Sequence, residues 1–227
     1  GTAAAGIVAS KLNGVGTVGI APLSTLVGIK LLPFFTGSQE KDAFLRDNDK
    51  IHIKSMSWGP YDLPESMFAI SRWAEEGLRE GVQTGRNGKG EIYIFAAGNG
   101  GEIKNNCNND GYVNAIETIS VGAVTFRLEK SSYSEECSCM LVCAPSSGSS
   151  WSVYTTDNSG NAGYASGDYT ANYGGTSAAA PMVAGAVALM LQANLNLGWR
   201  DVQEILCRTA RKIDRSDPNW IVNAAGF

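Results

Sequence analysis

Residues 91–97 read Glu-Ile-Tyr-Ile-Phe-Ala-Ala, an apolar run with no polar alternation after its first residue. A strand with one wet face alternates polar and apolar residues. A strand covered on both faces does not, and covering both faces is the work of helices on a mostly parallel sheet. Other strand-like runs are Val18–Ala21, Leu26–Leu32, Ile51–Trp58, Thr118–Val124, Met140–Ala144 and Ser152–Thr155. Between them lie stretches of helical character at Thr2–Leu12, Ser38–Asp47, Ser66–Thr84, Ser177–Ala193 and Trp199–Ala210, the last with Val202, Ile205 and Leu206 on one face. This order predicts a three-layer α/β domain with a mostly parallel sheet and helices on both faces. Gly, Ser and Asn gather in 98–114 and 145–176, which read as surface loops rather than as a linker. With 227 residues, 44% of them hydrophobic, one core and one domain over 1–227 are expected.

Charge narrows the partners. Charged residues make up 18% of the chain, the formal net charge is −4, and no block of five or six like charges occurs. Nucleic acid and anionic membrane surfaces are therefore not favoured partners, whereas a basic substrate suits the balance. The run Ala178–Leu191, broken by Pro181, is too short for a bilayer of about 30 Å hydrocarbon and reads as a buried helix, so no membrane segment is expected. The chain starts at Gly1 with neither methionine nor leader, and it reads as a piece of a longer protein. Cys107, Cys137, Cys139, Cys143 and Cys207 lack the paired C-x-x-C spacing of a zinc site. Four of the five fall within 107–143, which suggests one or two local disulfides and an oxidising compartment; buried free thiols are the alternative.

The chemistry concentrates in Gly174-Gly175-Thr176-Ser177-Ala178-Ala179-Ala180-Pro181. Two glycines permit a tight turn, and the serine then opens a helix of small residues at its positive end, where a developing oxyanion is stabilised. Pro181 falls in or just past the first turn, where a missing donor costs least. An ordinary helix-capping serine would look the same locally. However, Gly-Thr-Ser-Ala-x-x-Pro followed by an apolar helix resembles the serine signature of the subtilase family. Gly1-Thr2-Ala3-Ala4-Ala5-Gly6-Ile7-Val8-Ala9 with Asn13 and Gly16-Thr17-Val18-Gly19-Ile20-Ala21-Pro22 is similar to that family's histidine-bearing helix and the loop after it. Ser57-Trp58-Gly59-Pro60, Ala96-Ala97-Gly98-Asn99-Gly100-Gly101, Cys107…Asp110-Gly111-Tyr112, Tyr133-Ser134-Glu135…Cys137 and Trp199-Arg200-Asp201 resemble the kexin and furin branch, the proprotein convertases.

The resemblance implies a serine endopeptidase that cleaves precursor proteins after basic, above all paired basic, residues. Ser177 would be the nucleophile and Asn99 the side-chain donor of the oxyanion hole. Ser57, Trp58, Gly59 and Pro60 would form one wall of the pocket for the residue before the scissile bond, and Ala97 and Gly98 the other, with Tyr112 close by. Asp62 and Asp110 would hold the basic side chain at the base. Glu40 aligns with an acid that meets a basic residue three positions further back in the substrate, while Phe68 replaces a second acid there. Two Ca²⁺ sites are implied. One uses the Asn13 side chain with the carbonyls of Lys11, Val15 and Thr17; the other uses Asp62, Asn105 and Glu135, with Asn105 where an aspartate is usual. The resemblance further implies a Cys107–Cys137 disulfide, polypeptide substrates, an inhibitory prodomain, a monomer, and a place in the secretory pathway or outside the cell. A cross-link that some convertases make between the segments near Gly16 and Tyr169 has no cysteine here at either end.

Competing patterns fail on context. Gly14-Val15-Gly16-Thr17-Val18-Gly19 has dinucleotide-loop spacing, with Glu40 roughly 20 residues on, but a helical stretch precedes it and Pro22 follows, the reverse of a strand–loop–helix. His52, the single histidine, alternates with Ile51 and Ile53 in a strand and reads as structural. In the family motif the catalytic histidine directly precedes Gly-Thr, so it and an aspartate are expected upstream of Gly1, and Phe227 is expected to fall short of the domain's end. The residues present alone would then hydrolyse peptides poorly or not at all. The rival reading is a pseudoprotease that keeps the fold as a binding module.

Overall fold

The structure, a computed structural model, describes all residues except Glu65, Ser149, Asp214, Ser216, Asp217, Asn219, Asn223, Ala224, Ala225 and Phe227. Four strands, β1 (Ile53–Met56), β2 (Ile92–Ala96), β3 (Thr118–Val124) and β4 (Met140–Pro145), pair in parallel in the order β1-β2-β3-β4. Ile94 is opposite Ser55 on one side and Ile119 on the other. The absence of alternation in β2 is explained by what covers it. Ile92 and Ile94 join Ile119, Val121 and Val142 beneath helix α4 (Thr176–Ala193) and helix α5 (Trp199–Thr209). Tyr93 and Phe95 turn to the opposite face, against Phe44 of α2 (Gly37–Leu45) and Ala74, Leu78 and Val82 of α3 (Arg72–Gly88). Helix, sheet, helix: the three-layer α/β expectation holds.

Helix α4 is long and apolar enough to cross a membrane by length and composition. Yet Ala178, Ala179, Ala180, Ala184, Val187 and Leu191 are buried against its neighbours in the domain, and their small size lets the helix lie close to the sheet. It is the core helix. On its far side sit α1 (Thr2–Ala9) and an antiparallel pair, β5 (Val153–Thr156) and β6 (Tyr169–Tyr173).

Several expected boundaries shift. Val18–Ala21 is not a strand, because the N–H groups of Gly19, Ile20 and Ala21 donate to the carbonyls of Ser10, Ile7 and Val8 and close the end of α1, which therefore stops at Ala9. Leu26–Leu32 has no strand neighbour among the described residues, and Leu26 and Val27 are more than half exposed. The helix expected from Ser66 begins at Arg72, where the Ser71 hydroxyl accepts from the Ala74 N–H. β6 was not anticipated.

Candidate functional site

In an open parallel sheet, loops leaving the carboxyl ends of adjacent strands converge where a helix N-terminus can meet them. Ser57 follows β1, Ala97 and Asn99 follow β2, and the N-terminus of α4 comes up to both. Thr176, the first residue of α4, ties this junction. Its N–H donates to Asn99 Oδ1 at 2.8 Å, its hydroxyl lies 3.1 Å from the same oxygen, and the Gly98 N–H donates to Thr176 Oγ1 at 3.2 Å. A backbone N–H can only donate, so the Asn99 oxygen faces Thr176 and its NH₂ is directed elsewhere. The preceding Gly175 has φ +73°, and a Cβ there would lie 2.9 Å from Asn99 Oδ1. Only glycine suits both the conformation and the space. The Ser177 hydroxyl, half-buried at the second position of the helix, has no hydrogen-bond partner among the described residues.

The Ser177 carbonyl is engaged, accepting from the Ser57 hydroxyl at 2.9 Å and the Tyr173 hydroxyl at 3.1 Å. Beside this junction, a Cβ on Gly59 would meet Asp110 Oδ2 at 3.1 Å, so the Asp110 carboxylate lies against the Ser57–Pro60 segment. Burial pushes its pKa up against hydrogen bonds from the Tyr112 and Val113 N–H groups, and the charge of Asp62 pushes the same way. Tyr112 stacks on Phe95 and Trp58 meets both rings edge-on, with centroids 5.2–5.7 Å apart, which makes this wall rigid.

A second polar group lies alongside. Asp62 accepts the Asn99 N–H at 3.0 Å, while Glu135 Oε1 accepts from the Gly100 N–H and Asn105 Nδ2, each at 3.0 Å. Burial raises the Glu135 pKa against those donors, and the charge of the neighbouring Asp62 raises it further. Asn105 Oδ1 is buried without a partner. Two carboxylates and an orphaned amide oxygen form a donor set for a hard cation. The Asn13 loop differs: all its candidate oxygens are neutral, and Asn13 Oδ1 accepts the Val15 N–H at 3.1 Å. A disulfide joins Cys107 to Cys137 and so fastens the loop after Asn99 to the strand edge near Glu135, while Cys139, Cys143 and Cys207 are free thiols.

Two residues lie apart from this group. Glu40 does not present an acid to the surface: it is 1% exposed, and its two oxygens take the Ser71 and Tyr112 hydroxyls, fastening α2 to the start of α3. His52 stands at the opposite end of β1 from Ser57, roughly 16 Å along the strand at about 3.3 Å per residue, and its carbonyl accepts the Ile92 N–H. Burial lowers its pKa, with Arg86 and Lys89 adding repulsion. Thr176 and Tyr173 were missed from sequence. Thr176 stands within the Gly-Thr-Ser motif and could have been found there; nothing local marks Tyr173.

Comparison with known proteins gives this geometry a setting. The family model for the subtilases, Peptidase_S8, matches residues 1–226. The chain is 41% identical to the dibasic-processing endoprotease of Schizosaccharomyces pombe, over 100% of this chain and 32% of that protein. It is 40% identical to kexin of Candida albicans, over 99% of this chain and 23% of that protein. It spans a third or less of the length of these curated relatives. Among solved structures, the serine protease of Aeromonas sobria superposes with a TM-score of 0.82 at 27% identity, covering 94% of this chain and 43% of that one.

Proposed function

Because the chain belongs to the subtilase family, we propose that it is the larger part of the catalytic domain of a kexin-type serine endopeptidase that cleaves polypeptides after basic, above all paired basic, residues. Ser177 Oγ attacks the scissile carbonyl and passes its proton to a histidine that precedes Gly1 in the family motif, which an aspartate further upstream orients. The tetrahedral oxygen is held by the Asn99 NH₂ and the Ser177 N–H at the positive end of α4. The observation that carries this reading is the clamp on Asn99: Thr176 occupies the amide oxygen from two directions and leaves the NH₂ free to donate elsewhere, one residue before a serine whose hydroxyl has no partner among the described residues. Preorganised donors of this kind need no reorientation when charge develops.

Asp110 supplies the preference for basic side chains. A guanidinium entering beside Gly59 meets a carboxylate in a partly dry setting, where a charge-assisted hydrogen bond is strong and an apolar side chain would leave the acid unpaired. Ca²⁺ fits Asp62, Asn105 and Glu135, where it would neutralise the contact between the acids and give Asn105 Oδ1 a partner. At the loop of Lys11, Asn13, Val15 and Thr17 the cation would meet only neutral oxygens, so less ligand charge would hold it there. An inhibitory prodomain and passage through the secretory pathway complete the proposal, which the kexin relatives and the disulfide support.

The test is a peptide library cleaved by the full-length protein and by its Asp110→Asn variant. Cleavage after Arg and Lys is expected, with the preference reduced about 10- to 100-fold in the variant. Cleavage after Leu or Phe at equal rates, or an unchanged preference in Asp110→Asn, would overturn the proposed specificity.

A further inference from the structure

One hydrogen bond is absent from α4 by chemistry. Helical residues accept at their carbonyl from the N–H four positions on, and four positions on from Ser177 stands Pro181, whose nitrogen carries no hydrogen. The Ser177 carbonyl is therefore left open on the helix, and a carbonyl has two lone pairs to satisfy. The Ser57 hydroxyl arrives from 120 residues away, at the wall that follows β1, and the Tyr173 hydroxyl arrives from the last residue of β6. Tyr173 is 7% exposed, and burial pushes its pKa up to about 12, so the phenol keeps its proton and remains a donor.

We propose that Ser57 and Tyr173 are positioning residues for the nucleophile, acting through the Ser177 carbonyl that Pro181 leaves free. Two donors from different elements fix the plane of the 177–178 peptide, and with it the Ser177 backbone and the direction of its hydroxyl. An i+4 N–H would hold the carbonyl along the helix axis and would link it neither to the pocket wall nor to β6. Through the Ser57 hydroxyl, the segment that lines the substrate pocket is joined directly to the backbone of the reacting residue. The inference rests on the reading of Ser177 as nucleophile.

The experiment measures kcat and KM on a basic peptide substrate for the full-length protein and for Ser57→Ala, Tyr173→Phe, the double variant, Ser57→Thr combined with Tyr173→Phe, and Pro181→Ala. A serine-directed phosphonate probe reports labelling of Ser177, and thermal unfolding reports folding. Each single variant should lose little kcat, because the other hydroxyl remains. The double variant should lose about 10²-fold, the scale of a misplaced reacting group, with KM nearly unchanged. In the Tyr173→Phe background Ser57→Thr, which keeps the hydroxyl, should recover most of the kcat that Ser57→Ala loses there. Pro181→Ala supplies the missing N–H and should lower kcat by itself, and in that background removal of both hydroxyls should add little to the loss. The inference is overturned if the wild type cleaves and the double variant keeps its kcat, if only KM rises, or if the losses add in full on Pro181→Ala. A wild type that neither cleaves nor takes the label overturns the nucleophile reading, and this inference with it.

Discussion

The two ends of strands β1 and β2 solve opposite problems with polar side chains. Near their N-terminal ends Lys54, Glu91 and Tyr93 are 6%, 0% and 0% exposed, and every polar atom has a partner. Lys54 donates to Glu91 and to the carbonyls of Phe44 and Arg46, while the Tyr93 hydroxyl lies 2.8 Å from the Phe44 carbonyl and 2.9 Å from Glu91. Burial pulls the Lys54 pKa down and pushes that of Glu91 up, and their mutual attraction opposes both shifts. At the C-terminal ends the account stays open: among the described residues neither Ser177 Oγ nor Asn105 Oδ1 has a partner, and the Asp62 charge raises the Glu135 pKa. The same strands carry a closed network where they hold the fold and an open one where a ligand can complete it.

The largest expected effect comes from breaking the closed end. Lys54→Met strands Glu91 in the interior and should cost about 3–5 kcal/mol in urea unfolding, while kcat of the protein that stays folded is unchanged. A loss below 1 kcal/mol would show that the network is not closed in the sense argued. At the open end the pattern should invert. Asn99→Ala should lower kcat about 10²–10³-fold, a figure drawn from a subtilisin in the same family, with a stability loss of about 1–3 kcal/mol because the buried Thr176 N–H loses its acceptor. A variant that unfolds instead would erase the distinction between the ends.

The smallest effect is the most diagnostic of Asp62, Asn105 and Glu135. Without Ca²⁺, Glu135 holds its proton more tightly folded than unfolded. Its contribution to stability is thus present below the ordinary glutamate pKa and is lost as pH rises through that value towards the raised one. Bound Ca²⁺ favours the ionised acid, so excess Ca²⁺ should remove this decline and add up to about 2.7 kcal/mol at a hundredfold excess over Kd. Thermal midpoints measured against pH in chelator and in Ca²⁺ make the test. Superimposable curves, or an undiminished Ca²⁺ response in Glu135→Gln, would leave the open end without its cation.

What could be read in advance follows from where the information lies. β3 matched its expected bounds, because a run as apolar as Thr118–Val124 suits little besides a strand buried on both faces. Leu26–Leu32 carries a similar run and forms no strand, since strand character is completed by a neighbour and local residues do not encode one. Tyr169–Tyr173 alternates polar and apolar residues amid glycine-rich loops, and its pairing with β5 was invisible before the pair was seen. Glu40 aligned with a substrate-facing acid, yet Ser71 and Tyr112, 31 and 72 residues away, turn it inward. Thr176 could be read as part of a motif, but its hold on Asn99 could not.

Thr176 meets Asn99 across 77 residues, and Ser57 meets the Ser177 carbonyl across 120. Contacts of such span carry a closure entropy that the packing of the intervening chain has to offset. Neither α1 alone nor the β1–β2 pair alone contains both sides of this junction. On the proposed reading of Ser177 as nucleophile, the serine and its oxyanion donors share one place only where β1, β2 and the start of α4 have met.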